Sequence, residues 1–191
     1  MTRATAFSAA LPDWLRHRAL PDRVVSDGDR MALVHELADT NWRAGNGGPF
    51  AAIVVDSATG DLVSAGVNVV LSSGLSSTHA EVVALSLAQA TLGSWDLGAG
   101  RDLELVVNWR PCAMCYGATI WSGVRRLVIA GSGPECEQLT GFDEGPIHPD
   151  WAAELVRRGV RVMDGVLREE ACEMFRAFAK SGRPVYNARK G

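Results

Sequence analysis

Four side chains in two short stretches have the types and spacing to do chemistry together. "THAE" supplies His79 and Glu81, and "RPCAMC", further along, supplies Cys112 and Cys115. One imidazole and two thiolates make a donor set suited to zinc. Three such ligands leave the fourth tetrahedral position to water, which separates a catalytic zinc from a closed structural one. Zinc acidifies that water, and Glu81, two residues from His79, can reach it without binding the metal. The chemistry such a set supports is hydrolysis. C-x-x-C alone is commonly a redox pair, but a redox pair needs no His-x-Glu at a second helix start. H-x-E followed by P-C-x-x-C is the signature of zinc deaminases acting on amino-substituted heterocycles.

The elements that must hold these groups are legible around them. "THAEVVALSLAQATL" predicts a helix from about Thr78 to Leu92, apolar almost all round, with His79 and Glu81 at its start. "CAMCYGATIWSGV" predicts another nearly all-apolar helix ending near Gly123. Pro111 suits its first helical position, which would put the thiols where free N–H groups and the helix dipole favour thiolate. Upstream, Ser26 or Asp27 can cap a helix carrying Met31, Leu33, Val34 and Leu37 at helical spacing. "GGPFAAIVVD" and "DLVSAGVNVVL", joined by "SATGD", read as an antiparallel hairpin. "DLELVVNW", "RRLVIAG" and "VRVMDG" are strand-like, "DWAAELVRRG" and "VLREEACEMFRAFAK" helical, and "SGPECEQLTGFDEGPIHP" a loop-rich stretch. Strands alternating with helices that bury more than one face predict an α/β fold, a three-layer α/β/α sandwich around one mixed sheet. The expected organisation is an N-terminal extension over residues 1–25, the main domain over 26–180 and a C-terminal tail over 181–191.

Composition narrows the classes. With 191 residues, 47% of them hydrophobic and 21% charged, the chain is an ordinary globular protein with its own core. A net charge of -3 and the lack of a basic stripe argue against nucleic acid as a partner. No apolar run reaches membrane-spanning length, and the first twenty residues are broken by Pro12, Asp13, Arg16 and Arg18, so the expected compartment is the cytoplasm. There the four cysteines are expected to be ligands or packing and not a disulfide framework.

The chain resembles the cytidine-deaminase-like superfamily and is most similar to its bacterial guanine deaminase branch. The stretches that carry the likeness are "GGPFAAIVV", "GVNVV", "HAEVVALSLAQA", "PCAMCYGATIWSGV", "GFDEGP" and "YNAR". H-x-E with P-C-x-x-C marks the superfamily, while "GFDEGP" and "YNAR" point to the branch. The resemblance implies a mixed five-stranded sheet between helices and zinc-dependent hydrolysis of guanine to xanthine and ammonia. It implies one zinc per chain on His79, Cys112 and Cys115, with Glu81 as proton shuttle. Phe50 would stack on the ring, Asn68 would hydrogen-bond a ring heteroatom, and Trp121 would wall the pocket. Glu144 would bind the ring's N–H edge or act as a second proton shuttle, and Tyr186 would cap the site. A homodimer is implied, in some members with the C-terminal segment swapped across to the partner.

One departure stands beside the zinc helix. Many relatives carry Glu directly before P-C-x-x-C and a small polar residue two positions earlier, whereas this chain reads Asn108, Trp109, Arg110. Either these side chains face the pocket and alter the substrate, or they face solvent or a subunit contact. Three other functions compete with guanine hydrolysis. The first is the same reaction on another heterocycle, such as the aminotriazine ammeline, another purine or its nucleoside, or a pterin. The second is deamination of a flipped base in nucleic acid. The third is a non-catalytic zinc-stabilised binding protein, which needs a fourth ligand such as Cys136.

Overall fold

The computed structural model describes residues 3–187. Met1, Thr2 and residues 188–191, which include the last half of "YNAR", lie outside that range. In chain order the elements are α1 (Asp13–Arg16), α2 (Asp27–Ala44), β1 (Ala51–Asp56), β2 (Leu62–Val67), α3 (Val70–Ser73) and α4 (Ala80–Leu92). They continue with β3 (Leu103–Val107), α5 (Ala113–Ser122), β4 (Arg126–Ile129), α6 (Glu135–Thr140), α7 (Trp151–Arg157), β5 (Arg161–Met163) and α8 (Arg168–Lys180).

The five strands form one sheet in the order β2-β1-β3-β4-β5. β1 runs antiparallel to both β2 and β3, while β3, β4 and β5 are parallel, so the sheet is mixed. The hairpin closes as its turn residues dictate: Asp56 Oδ1 accepts the N–H groups of Ala58 and Thr59, each at 2.9 Å. Side-chain alternation sorts the strands into two packed faces. Ile53 and Val55 meet α2 and α8 through Met31, Val34, Leu37, Phe175 and Phe178. Ala52 and Val54 look the other way, toward Ala84 and Leu85 of α4 and Leu155 of α7, with Ile120 of α5 packed alongside. The result is the expected three-layer sandwich.

Helix ends follow local chemistry. Ser26 caps α2, its Oγ accepting from Asp29 N–H at 3.0 Å, and Gly45 ends that helix in the left-handed region at φ 82°. Three elements were not expected. α1 is a single turn in the N-terminal extension, α3 is a single turn after β2, and α6 interrupts the loop-rich stretch, opened by Pro134 and closed by Gly141. All three are too short to show a hydrophobic period. Residues 11–25 are bound to the domain: Leu15 and Val24 join the core, Arg18 pairs with Glu36 at 2.6 Å, and Arg23 pairs with Asp61 at 2.5 Å.

One buried charge cluster ties α2 to the sheet. Glu104 on β3, fully buried, accepts from Arg30 at 2.6 Å and from Arg126 at 2.9 Å, and Arg126 also binds Asp27 at 2.6 Å. The Arg126 bond holds the Asp27 carboxyl below its ordinary range. Removing one partner from such a cluster strands the others in low dielectric. Glu104→Ala is therefore expected to lower unfolding free energy by about 3–5 kcal/mol, read from urea denaturation. A loss within experimental error would mean that water or local shifts compensate Arg30.

Candidate active site

Two helix starts meet over the sheet. His79 is the N-cap of α4 and Glu81 lies in its first turn, while Cys112 is the N-cap of α5 and Cys115 lies in its first turn. Pro111 stands one place ahead of the cap and not at the first helical position, a correction to the sequence expectation. Cys112 instead takes extended backbone, φ -63° and ψ 172°, and its Sγ comes 3.5 Å from His79 Nδ1. The N–H of Ala113 is taken up by the Glu144 carbonyl at 2.9 Å, so the loop after α6 closes the start of the zinc helix.

Ligand atoms of His79, Cys112 and Cys115 all lie within 4.8 Å of one another, and both thiols are buried. Metal bonds of about 2.0–2.3 Å in tetrahedral geometry place zinc ligands at comparable separations, so the donor set fits that ion. Electrostatics agree. A hydrogen bond from Cys115 brings the Cys112 thiol down to about 4, while that bond and burial hold Cys115 well up. The arrangement favours the thiolate form at Cys112, and a cation would favour it at Cys115 as well. Burial disfavours charge on the His79 ring, yet Cys112 and Glu81 more than offset it and raise its pKa. Burial, with the negative Cys112 beside it, pushes the Glu81 carboxyl up to about 7. Glu144 is pushed further, to about 8, by burial first and then by Cys112 and Glu81. Both carboxyls are thus raised by the same two causes, burial and the neighbouring Cys112, as is common for ionisable groups in a functional cavity.

The cavity holds about 270 Å³ and is lined by His79, Glu81, Cys112, Glu144, Phe50, Phe142, Trp109, Arg110 and Tyr186, among others. Phe50 meets Phe142 edge-on at 5.4 Å. Tyr186 packs 4.8 Å from Phe142 and accepts from Gly48 N–H at 3.3 Å, which brings the tail over the pocket of its own chain. Burial raises the Tyr186 hydroxyl well above its ordinary range. Gly48 must be glycine here, since a Cβ would come 2.7 Å from the Tyr186 oxygen. Asn68 sits buried just behind the wall. Its Oδ1 accepts from Val70 N–H at 3.2 Å, and its Nδ2 is buried with no protein partner.

Trp121 departs from expectation. It is 81% exposed and takes no part in the cavity. At 3.6 residues per turn it lies about 240° round the helix from Cys115, so it cannot share the zinc-facing side. The near-uniform apolarity of α5 hid which face was which. The departure residues divide. Asn108 is a buried brace, donating to Pro49 O at 2.8 Å and accepting from Ala51 N–H at 3.1 Å. Trp109 borders the cavity but packs its ring into the core against Phe175, its Nε1 donating to Gly133 O at 3.2 Å, and Arg110 lines the cavity. Asn187 also reaches the cavity rim, donating to Gly141 O at 2.8 Å and accepting from Asp143 N–H at 3.1 Å. The terminal "YNAR" was its only sequence signal.

A mixed α/β sandwich with His, two Cys and a non-ligating Glu at paired helix starts defines a zinc-dependent hydrolytic deaminase. Residues 25–131 match the cytidine and deoxycytidylate deaminase zinc-binding region, and the chain belongs to that family. It is 33% identical to guanine deaminase of Bacillus subtilis over 114 residues, 60% of this chain and 69% of that protein. Its structure is similar to that of a guanine deaminase from Nitrosomonas europaea, with TM-score 0.87 and 40% identity over 94% of this chain and 100% of that one. It is likewise similar to NE0047 in complex with 2,6-diaminopurine, with TM-score 0.88 and 42% identity over 97% and 98% of the two chains.

Proposed function

We propose that this zinc aminohydrolase converts guanine to xanthine and ammonia. The observation that carries the reading is a second buried carboxyl, Glu144, on the same cavity as Glu81, for guanine presents a ring N–H and an amino group side by side. The likeness to two guanine deaminases supports it. Bound by His79, Cys112 and Cys115, zinc supplies the Lewis acidity that makes water a nucleophile at neutral pH. Glu81 takes the proton that water gives up and returns it to the departing amino nitrogen. Oxygen is added at the amino-bearing carbon as the carbon–nitrogen bond breaks, so one water enters and one ammonia leaves. Glu144 accepts from the N–H edge and holds that carbon in place, Phe50 covers the ring face, and the unpartnered Asn68 amide donates to a ring heteroatom. Tyr186 closes the cavity. Orientation of this kind is worth about 7–11 kcal/mol when geometry is right.

Zinc content and ammonia release measured in one purified sample, over guanine, 2,6-diaminopurine, ammeline, a pterin and an RNA hairpin, test the reading. Guanine is expected to be turned over fastest. Zinc without guanine turnover would move the assignment to whichever compound reacts. A small cavity closed by the tail favours a free base over a flipped base in RNA. Cys136, the thiol that a closed zinc site would need, lies by Glu144 at 3.9 Å and outside the metal-ligating group found among the described residues.

The reading extends to assembly and compartment. Met114 and Trp121 stand exposed on one face of α5, with Gly117 and Ala118 between them. An apolar helix face of this kind suits a second copy of the chain, and the proposed homodimer buries it. Trp121→Asp is expected to raise the dimer dissociation constant at least about thirtyfold, the equivalent of a 2 kcal/mol hot spot. Sedimentation measures it, and an unchanged constant would move the interface elsewhere. In a swapped dimer Tyr186 would enter from the partner's tail with the same role. The cytoplasm suits four free thiols, two of which bind the metal.

A further inference from the structure

One charged group in the cavity wall has no part in the scheme above. Arg110 lines the cavity with Glu144. Its backbone N–H donates to Gly131 O at 2.8 Å and its Nη1 to Ser132 O at 2.9 Å, which pins the guanidinium just beyond the end of β4. Nε is buried without a partner. Glu144 and Asp143 share the cavity, yet among the described residues no carboxylate lies within the 4.0 Å of an ion pair with Arg110. Ser132 O takes one donor of the half-buried guanidinium, and among the described residues no acceptor is found for Nη2, which a ligand oxygen in the cavity can supply.

Guanine has such an acceptor at the right end. With its amino-bearing carbon beside Glu81 and its ring N–H on Glu144, the 6-oxo group follows next along the same edge. That edge, O6 with N7, accepts hydrogen bonds from arginine, and Arg110 has Nη2 to offer while Nη1 stays on Ser132 O. We propose that Arg110 is a specificity-determining residue that donates to the oxo edge of the substrate, so that the site selects 6-oxopurines over purines lacking that group. The inference rests on the guanine reading. It makes the guanidinium the counterpart of Glu144: one reads the donor edge and the other the acceptor edge of the same ring.

Hypoxanthine and purine separate this role from a structural one, because neither carries a 2-amino group to lose and only hypoxanthine has the oxo group. Their dissociation constants are measured by calorimetry on the zinc-loaded wild type, Arg110→Met and Arg110→Lys, with guanine turnover and melting temperature recorded for each. Arg110→Met is expected to weaken hypoxanthine about tenfold to a hundredfold and purine less than twofold. Arg110→Lys is expected to restore part of the loss, and zinc content should not change. Equal weakening of both ligands, or none for hypoxanthine, overturns the inference. Wild-type protein that does not release ammonia from guanine overturns the substrate reading instead, a result separable from the behaviour of Arg110.

Discussion

Glu81→Gln should retain zinc and fold while losing about a hundredfold to ten-thousandfold in kcat, the usual worth of a positioned general acid–base. The amide copies the carboxyl's shape and its neutral form. Burial already pushes that carboxyl up to about 7, so an uncharged group is tolerated where Glu81 stands. Stability should change by less than about 1 kcal/mol. Glu81 is no member of the ligand group, which comprises His79, Cys112 and Cys115, so metal content should match wild type. What the amide cannot do is accept a proton from water. Steady-state ammonia release with zinc quantified in the same sample checks both halves. Near-wild-type turnover would remove Glu81 from the proton path, and zinc loss would make it a ligand.

Much of this site was legible because chemistry constrains it locally. His79, Glu81, Cys112 and Cys115 sit at helix starts, where capping signals and the metal-ligand spacing coincide, and the fold brings them together as expected. The hairpin was legible from its Val- and Ile-rich arms and its turn residues, and the other three strands from short β-rich runs. What escaped was orientation. A helix apolar on every side carries no record of which face meets the sheet, so Trp121 could not be placed until α5 was docked. Asn108, Trp109 and Arg110 follow one another in sequence, yet the first braces the backbone, the second packs into the core and the third lines the cavity. That division depends on how the chain turns after β3, which no periodicity encodes. Asn187 gains its role only through a contact with Gly141 and Asp143, far from it along the chain.

Cys115→Ala should lose zinc and with it all measurable turnover, whereas Cys136→Ala should lose neither. Both thiols are buried, and composition alone does not rank them. Geometry does. Cys115 is in the first turn of α5, with its ligand atom within 4.8 Å of His79 and Cys112, while the Cys136 thiol is turned toward Glu144. Loss of a direct ligand should weaken zinc by more than the 10–100-fold (about 1.4–2.8 kcal/mol) typical of an outer-sphere partner. The Cys115 thiol is held well up by the hydrogen bond it donates to Cys112 and by burial, so it must give up a proton when metal enters. Zinc binding should accordingly weaken as pH falls from about 8 to 6. Competition with a chromogenic chelator over that range measures it. Zinc retained by Cys115→Ala would remove that thiol from the coordination sphere, and zinc lost from Cys136→Ala would make Cys136 a fourth ligand that closes the corner water needs.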